Sequence, residues 1–224
     1  MTKYYPRREM ARSIVSRMVD TKPTRALDTL HLTLSGPIGS TDRLGQSIRA
    51  SAVKATLASN KYASQIVVRL NSTGGSVHEA QAIYDALVRH RARVTVRVTD
   101  TCASAATIIL LAGDERIAPP DATVMLHGIE VPLPTGARRW TAERYAETAA
   151  HLRDEQRRLI NLFARRTGGR RAFFEAQFKD ERPMHPETAL RHGLLTEIAE
   201  VQGRGPFKSL RASTAGPARE AHLF

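Results

Sequence analysis

Apolar and polar residues alternate through Leu30-His31-Leu32-Thr33-Leu34, and the run stops at Ser35-Gly36-Pro37, which predicts a half-buried strand and a turn. Thr41 or Asp42 is placed to cap a helix through Leu44, Ile48, Ala52 and Leu57, ending at Asn60. Gln65 to Leu70 is a short β-branched run, and Asn71-Ser72-Thr73-Gly74-Gly75-Ser76 follows as a tight loop. From Ser76, the positions Val77, Ala80, Ile83 and Leu87 have helical spacing, and Val94 to Val98 alternates again. Ser104, among small residues, then leads into the apolar run Ile108 to Gly113, and Ala122 to His127 predicts a further strand closed by Gly128.

Strands and helices thus take turns, which favours an α/β fold with a mostly parallel sheet and crossover helices. In such sheets the functional loops lie beyond the carboxyl ends of the strands. Asn71–Ser76, Thr101–Ser104 and His127 all fall at such ends. Three separated segments are therefore expected to converge on one place.

Beyond the strand ending at His127 the pattern changes. Residues 128–140 carry Pro132, Pro134 and Gly136 and read as an extended insertion. Trp140-Thr141 opens the longest predicted helix, to about Arg166, with Thr141 as N-cap and Trp140 and Tyr145 as a hydrophobic staple. Tyr145, Ala149, Leu152, Gln156, Leu159 and Phe163 share one face, suited either to the chain's own core or to a partner subunit. Thr167-Gly168-Gly169 ends it. A short helix over 172–178, a charged turn at Lys179–Pro183, a helix from Pro186 to His192 and a terminal strand over 194–198 complete the pattern. The expected organisation is a basic flexible arm (1–25), a folded domain (26–200) and a disordered basic tail (201–224), because neither end shows a sustained period.

Composition narrows the classes. The 224 residues hold 42% hydrophobic but only 5% aromatic residues, so aliphatic side chains must fill the core. No run approaches the ~18 apolar residues of a membrane span, and the charged N-terminus lacks the apolar core of a secretory signal. The single Cys102 excludes an intramolecular disulfide, fits a cytoplasmic setting and reads as a small core residue. A net charge of +12 and an isoelectric point near 10.6 invite a nucleic-acid reading. The arginines are dispersed, however, and no basic stretch carries interleaved aromatics, so no nucleic-acid partner is expected. Histidine and cysteine spacing suits no zinc site, and neither metal nor cofactor is expected.

The strand ends carry the candidate chemistry. Acyl transfer by serine needs a nucleophile, a base, something to orient the base, and donors for the developing oxyanion. Ser104 is the candidate nucleophile and His127 the candidate base. The amide of Ala105 is one natural oxyanion donor, and the Gly74-Gly75 turn offers another free of side-chain obstruction. Each residue also has a plain structural reading: the glycines could serve only the turn, and the small residues only a buried helix start. The Gly-Gly turn is no Walker loop, because no Lys-Ser/Thr follows at the required spacing.

Leu70-Asn71-Ser72-Thr73-Gly74-Gly75-Ser76-Val77, Ala82 to Leu87, Cys102-Ala103-Ser104-Ala105-Ala106, Leu111-Ala112-Gly113, Met125-Leu126-His127, Thr167-Gly168 and Ala189 to Leu194 occur in an order that resembles the proteolytic subunit of the Clp protease, across roughly residues 33–198. Leu34-Ser35-Gly36-Pro37-Ile38 and the Asp180-Glu181 region look more like the Clp-related prophage proteases, some of which act in capsid maturation. The resemblance implies a crotonase-like fold with a handle over about 128–166. It implies a serine endopeptidase with Ser104 as nucleophile, His127 as base and the Gly75 and Ala105 amides as oxyanion hole. It further implies stacked, typically heptameric rings enclosing a chamber, unfolded protein or peptide as substrate, and an AAA+ unfoldase that brings the ATP dependence. The family's Asn-Ser-Pro-Gly-Gly is here Asn-Ser-Thr-Gly-Gly. An ungapped alignment places Gln177 where the triad aspartate belongs; Asp180, one turn later, is the expected acid, with Glu175 and Glu181 as alternatives. Two other readings stay open: an impaired ring subunit that pairs with an active paralogue, and a crotonase-type enzyme acting on acyl thioesters.

Overall fold

The computed structural model describes residues 28–131 and 140–199, together with the backbone of 219–223. The expected arm (1–25), most of the insertion and most of the tail lie outside the described residues.

Three long strands form the centre: β1 (Thr29–Ser35), β2 (Gln65–Ser72) and β3 (Arg93–Ala103). Their inward positions are aliphatic, Leu30, Leu32 and Leu34 on β1, Ile66, Val68 and Leu70 on β2, and Val94, Val96 and Val98 on β3. These runs match the alternation in the sequence, which puts one set of side chains on the core face. Around them lie β4 (Glu115–Ala118), β5 (Thr123–Met125), β6 (Pro183–Met184), β7 (Glu197–Ile198) and β8 (Arg219–Leu223). The sheet runs β6-β5-β3-β2-β1-β8, with β4 pairing β3 and β7 off that path. Every pairing is parallel except β5 with β6. The fold is α/β, as the strand–helix order predicts.

Helices α1 (Ala50–Ser59), α2 (Val77–Arg89) and α3 (Ala106–Leu110) make the crossovers. α4 (Ala142–Thr167), α5 (Arg171–Asp180) and α6 (Pro186–Arg191) follow. In α4, the Thr141 side chain accepts from the Arg144 amide and the Trp140 and Tyr145 rings lie 5.2 Å apart, the staple expected there. Only its second half is buried, through Leu159, Ile160 and Phe163. Phe163 packs against Phe174 and Phe178 of α5. Tyr145 remains 53% exposed, so the amphipathic face divides between the chain's own core and open surface. Among the described residues, no helix is long and apolar enough to cross a membrane.

Three expectations need correction, and one strand, Glu115–Ala118, is unanticipated. The first helix starts at Ala50 and not at Thr41 or Asp42. The Asp42 carboxylate accepts from the amides of Leu44 and Gln46, at 2.9 and 2.8 Å, and Gly45 has φ 78°, which closes a local turn instead of a helix. Glu79 of α2 supplies the missing cap by accepting from the Ala50 amide. The third strand continues past Val98 to Ala103 and so delivers the chain directly to Ser104. Glu115–Ala118 is a strand that carries no alternation in the sequence, since its last three residues are all buried. Finally, Arg219–Leu223 of the tail pairs in parallel with β1. An edge strand needs a partner backbone more than a hydrophobic pattern, and β1 offers one.

Candidate active site

β3 and β5 run side by side, with Ala103 opposite Met125. The Ser104 amide continues that ladder by donating to the Met125 carbonyl at 2.9 Å. Ser104 itself has φ 55°, in the left-handed region that L residues avoid. Its carbonyl accepts from both the amide and the hydroxyl of Thr107, at 3.0 and 2.6 Å, which ties the strained residue to the first turn of α3. A strand that turns abruptly into a helix in this way projects the serine side chain outward while its backbone stays held.

The glycine turn packs directly on this corner. A Cβ on Gly74 (φ 101°) would meet Ser104 Cβ at 2.6 Å and the Ala105 nitrogen at 3.0 Å. A Cβ on Gly75 (φ 137°) would meet the Ile38 carbonyl oxygen at 2.2 Å. Both positions therefore need glycine for conformation and for space. The hydrogen bonds step around Gly75: the Gly74 amide donates to Ser72 Oγ, the Gly74 carbonyl accepts from Ile38, and the Ser76 amide donates to the Ile38 carbonyl. Among the described residues, the amides of Gly75 and Ala105 donate to no acceptor. Two free N–H groups beside a serine are what a developing oxyanion requires.

His127 follows β5 and is partly buried. Its Nδ1 lies 2.7 Å from the Gly128 carbonyl, an acceptor, so Nδ1 carries the proton and Nε2 is left as the basic atom. Ser104, Ala105, Gly75 and His127 all line one cavity of about 290 Å³. Its other end is apolar, with Ile108, Leu126, Ile129, Leu159, Phe163 and Phe178. Ser104 and His127 make no mutual hydrogen bond here, and such contacts commonly tighten only when substrate binds.

The acids are arranged differently from expectation. Asp180, the expected acid, makes no hydrogen bond to His127; its carboxylate accepts from Arg182 Nε at 2.9 Å. Glu175 is taken by Arg171 at 2.8 Å. Gln177, at the ungapped position, uses its carbonyl to cap α5 through the Glu181 amide. Glu130 and Glu181 instead lie beside His127, with one ligand atom from each of the three residues within 4.8 Å of one another. Such a trio could also close on a divalent cation. Glu130 has no sequence signal beyond standing three residues after His127. Gln156 of α4 also enters unexpectedly: its Oε1 accepts from the Ile129 amide at 3.4 Å and ties the long helix to the segment after His127. Cys102 is fully buried beneath the site, and burial pushes its thiol far above the usual cysteine value, so it is no competing nucleophile.

The sequence matches the Clp protease family over residues 16–202. That span includes every element from β1 to β7 and every residue of the site just described. The chain belongs to the Clp protease family, a family of serine peptidases.

Proposed function

We propose that this chain is a serine endopeptidase in which Ser104 attacks the peptide carbonyl, His127 is the general base, and the Gly75 and Ala105 amides bind the oxyanion. The observation that carries this reading is the left-handed corner at Ser104, flanked by two unpaired amides and opening into the same cavity as His127. His127 Nε2 takes the proton as Oγ bonds to the carbonyl carbon, and the π electrons move onto the carbonyl oxygen. Collapse of that adduct breaks the C–N bond, and the leaving amine takes the proton from His127. Water then hydrolyses the acyl-serine by the same route in reverse.

The finer reading extends to assembly. The first turns of α4 are exposed, from Ala142 to Glu147, and a bare helix flank suits contact with a second subunit. We extend the proposal to stacked rings, an enclosed chamber, unfolded polypeptide as substrate, and ATP dependence supplied by a separate AAA+ unfoldase. Because Asp180 pairs with Arg182, an impaired subunit that needs an active paralogue stands as the second reading. A fluorophosphonate probe decides between them. Labelling of the homo-oligomer at Ser104, lost in Ser104→Ala, together with cleavage of a fluorogenic peptide, supports the peptidase. An unlabelled, inert homo-oligomer that gains activity only beside a paralogue supports the alternative.

A further inference from the structure

The proposed base has a partner for its Nδ1 proton but no ion pair, while a negative charge stands close by. β5 and β6 are antiparallel, with Val124 opposite Met184 and Met125 opposite Pro183. Beyond the end of that ladder His127 and Glu181 come together, with a ligand atom of each within 4.8 Å of the other. Asp180, the last residue of α5, pairs instead with Arg182. Glu181 is fixed by its own backbone, since it holds φ 54° at the end of α5 and its amide donates to the Gln177 carbonyl. Its Oε1 would lie 3.7 Å from a Cβ on Gly128, so it faces the backbone that carries the base. Among the described residues its carboxylate has no hydrogen-bond or ion-pair partner.

We propose that the usual work of a triad acid is divided in this chain, the Gly128 carbonyl orienting the His127 ring and Glu181 supplying the negative charge that stabilises its protonated form. Glu181 is thus a positioning and counter-charge residue. This rests on the peptidase reading above. Two carboxylates face the imidazole, Glu130 from its own segment and Glu181 from the turn between α5 and β6. They differ in placement: Glu130 lines the cavity and Glu181 does not. A substrate in the cavity therefore contends with Glu130 and not with Glu181. Among the described residues, no titratable side chain apart from His127 and Glu130 lines the cavity, and Gln156, the α4 side chain bonded to this segment, is uncharged.

The test uses the full chain in its native oligomer with a fluorogenic peptide. Glu181→Gln should lower kcat by about 10- to 100-fold, less than a fully buried triad acid would, because the carboxylate is exposed. KM should change by less than about twofold, the acid limb of the kcat/KM profile should move to lower pH, and the sensitivity of kcat to added salt should shrink. Glu181→Gly, which suits φ 54° without strain, should fold at least as stably and show the same kinetic loss. Glu181→Asp should recover part of it, and Asp180→Asn should stay within about twofold of wild type. A Gln variant that keeps both kcat and the acid limb overturns the proposal, as does an Asp180→Asn variant that carries the loss. A wild type that neither cleaves peptide nor labels at Ser104 overturns the peptidase reading, and this inference with it.

Discussion

A methyl group on Gly74 would sit 2.6 Å from the Cβ of Ser104, closer than two such atoms can approach. The glycine turn and the serine corner are therefore two halves of one packed unit. Gly74→Ala adds this clash to a φ of 101°, and should destabilise the fold by about 2–4 kcal/mol. The thermal midpoint should drop by roughly 5–15 °C. Fluorophosphonate labelling of Ser104 should be lost even at temperatures where the variant is folded, because the corner must shift to admit the methyl. Calorimetry and labelling on one sample check both halves of the expectation.

Ser104 itself stores strain. At φ 55° a residue with a Cβ is disfavoured by ~1–2 kcal/mol, and glycine is not. Ser104→Gly and Ser104→Ala should both be inert toward peptide, yet the glycine variant should melt several degrees above the alanine one. Equal melting temperatures would mean that the left-handed corner is not maintained without the serine.

Arg116 is the one buried charged side chain among the described residues, at 7% exposure. Its guanidinium donates to the carbonyls of Gly113, Gly193 and Leu194 at 2.7, 3.0 and 3.0 Å. It thereby clasps the strand β4 to the turn before β7. Arg116→Met leaves these carbonyls without that donor and should cost about 2–4 kcal/mol. Since the clasp lies away from Ser104, kcat per folded molecule should hold at temperatures below the transition. Denaturant titration with parallel active-site counting separates the two effects.

His192 stacks on Phe173, with ring centroids 3.5 Å apart and planes 7° from parallel. Desolvation, then the charges of Arg191 and Arg170, hold its pKa below the ordinary histidine value of 6.5. The folded state thus binds this proton less readily than the unfolded chain does. The resulting stability is fully present above pH 6.5 and is lost as pH falls below it, through the lower folded value. The urea midpoint of the wild type should decline from pH 7 toward pH 5, and His192→Phe should flatten that part of the decline. A parallel decline in the variant would assign it to other groups.

Much of the fold was legible because its signals are local. β1, β2 and α2 announce themselves by periods of two and of 3.6, and Thr141 and Gly168 bracket α4 by ordinary capping chemistry. Ser104, His127 and the Gly74-Gly75 turn stood out because parallel sheets gather their loops at strand ends. The misreadings have a common origin in partners distant along the chain. Helix α1 begins where Glu79, 29 residues on, caps it. Strand β4 exists because β3 and β7 flank it, and Arg219–Leu223 because β1 had an open edge.

The sequence by itself determined the alternation of strands and helices, the left-handed turns that only glycine tolerates, and the placing of Ser104 and His127 at strand ends. Those are properties of short segments, set by side-chain shape and backbone sterics. Which acid stands beside His127 was a different kind of question. Asp180 and Glu181 are adjacent and chemically alike, yet Asp180, still helical, pairs with Arg182, while Glu181, in the left-handed turn that ends α5, stands beside the imidazole. That choice depends on how the end of α5 packs against the segment after β5, so it belongs to tertiary structure.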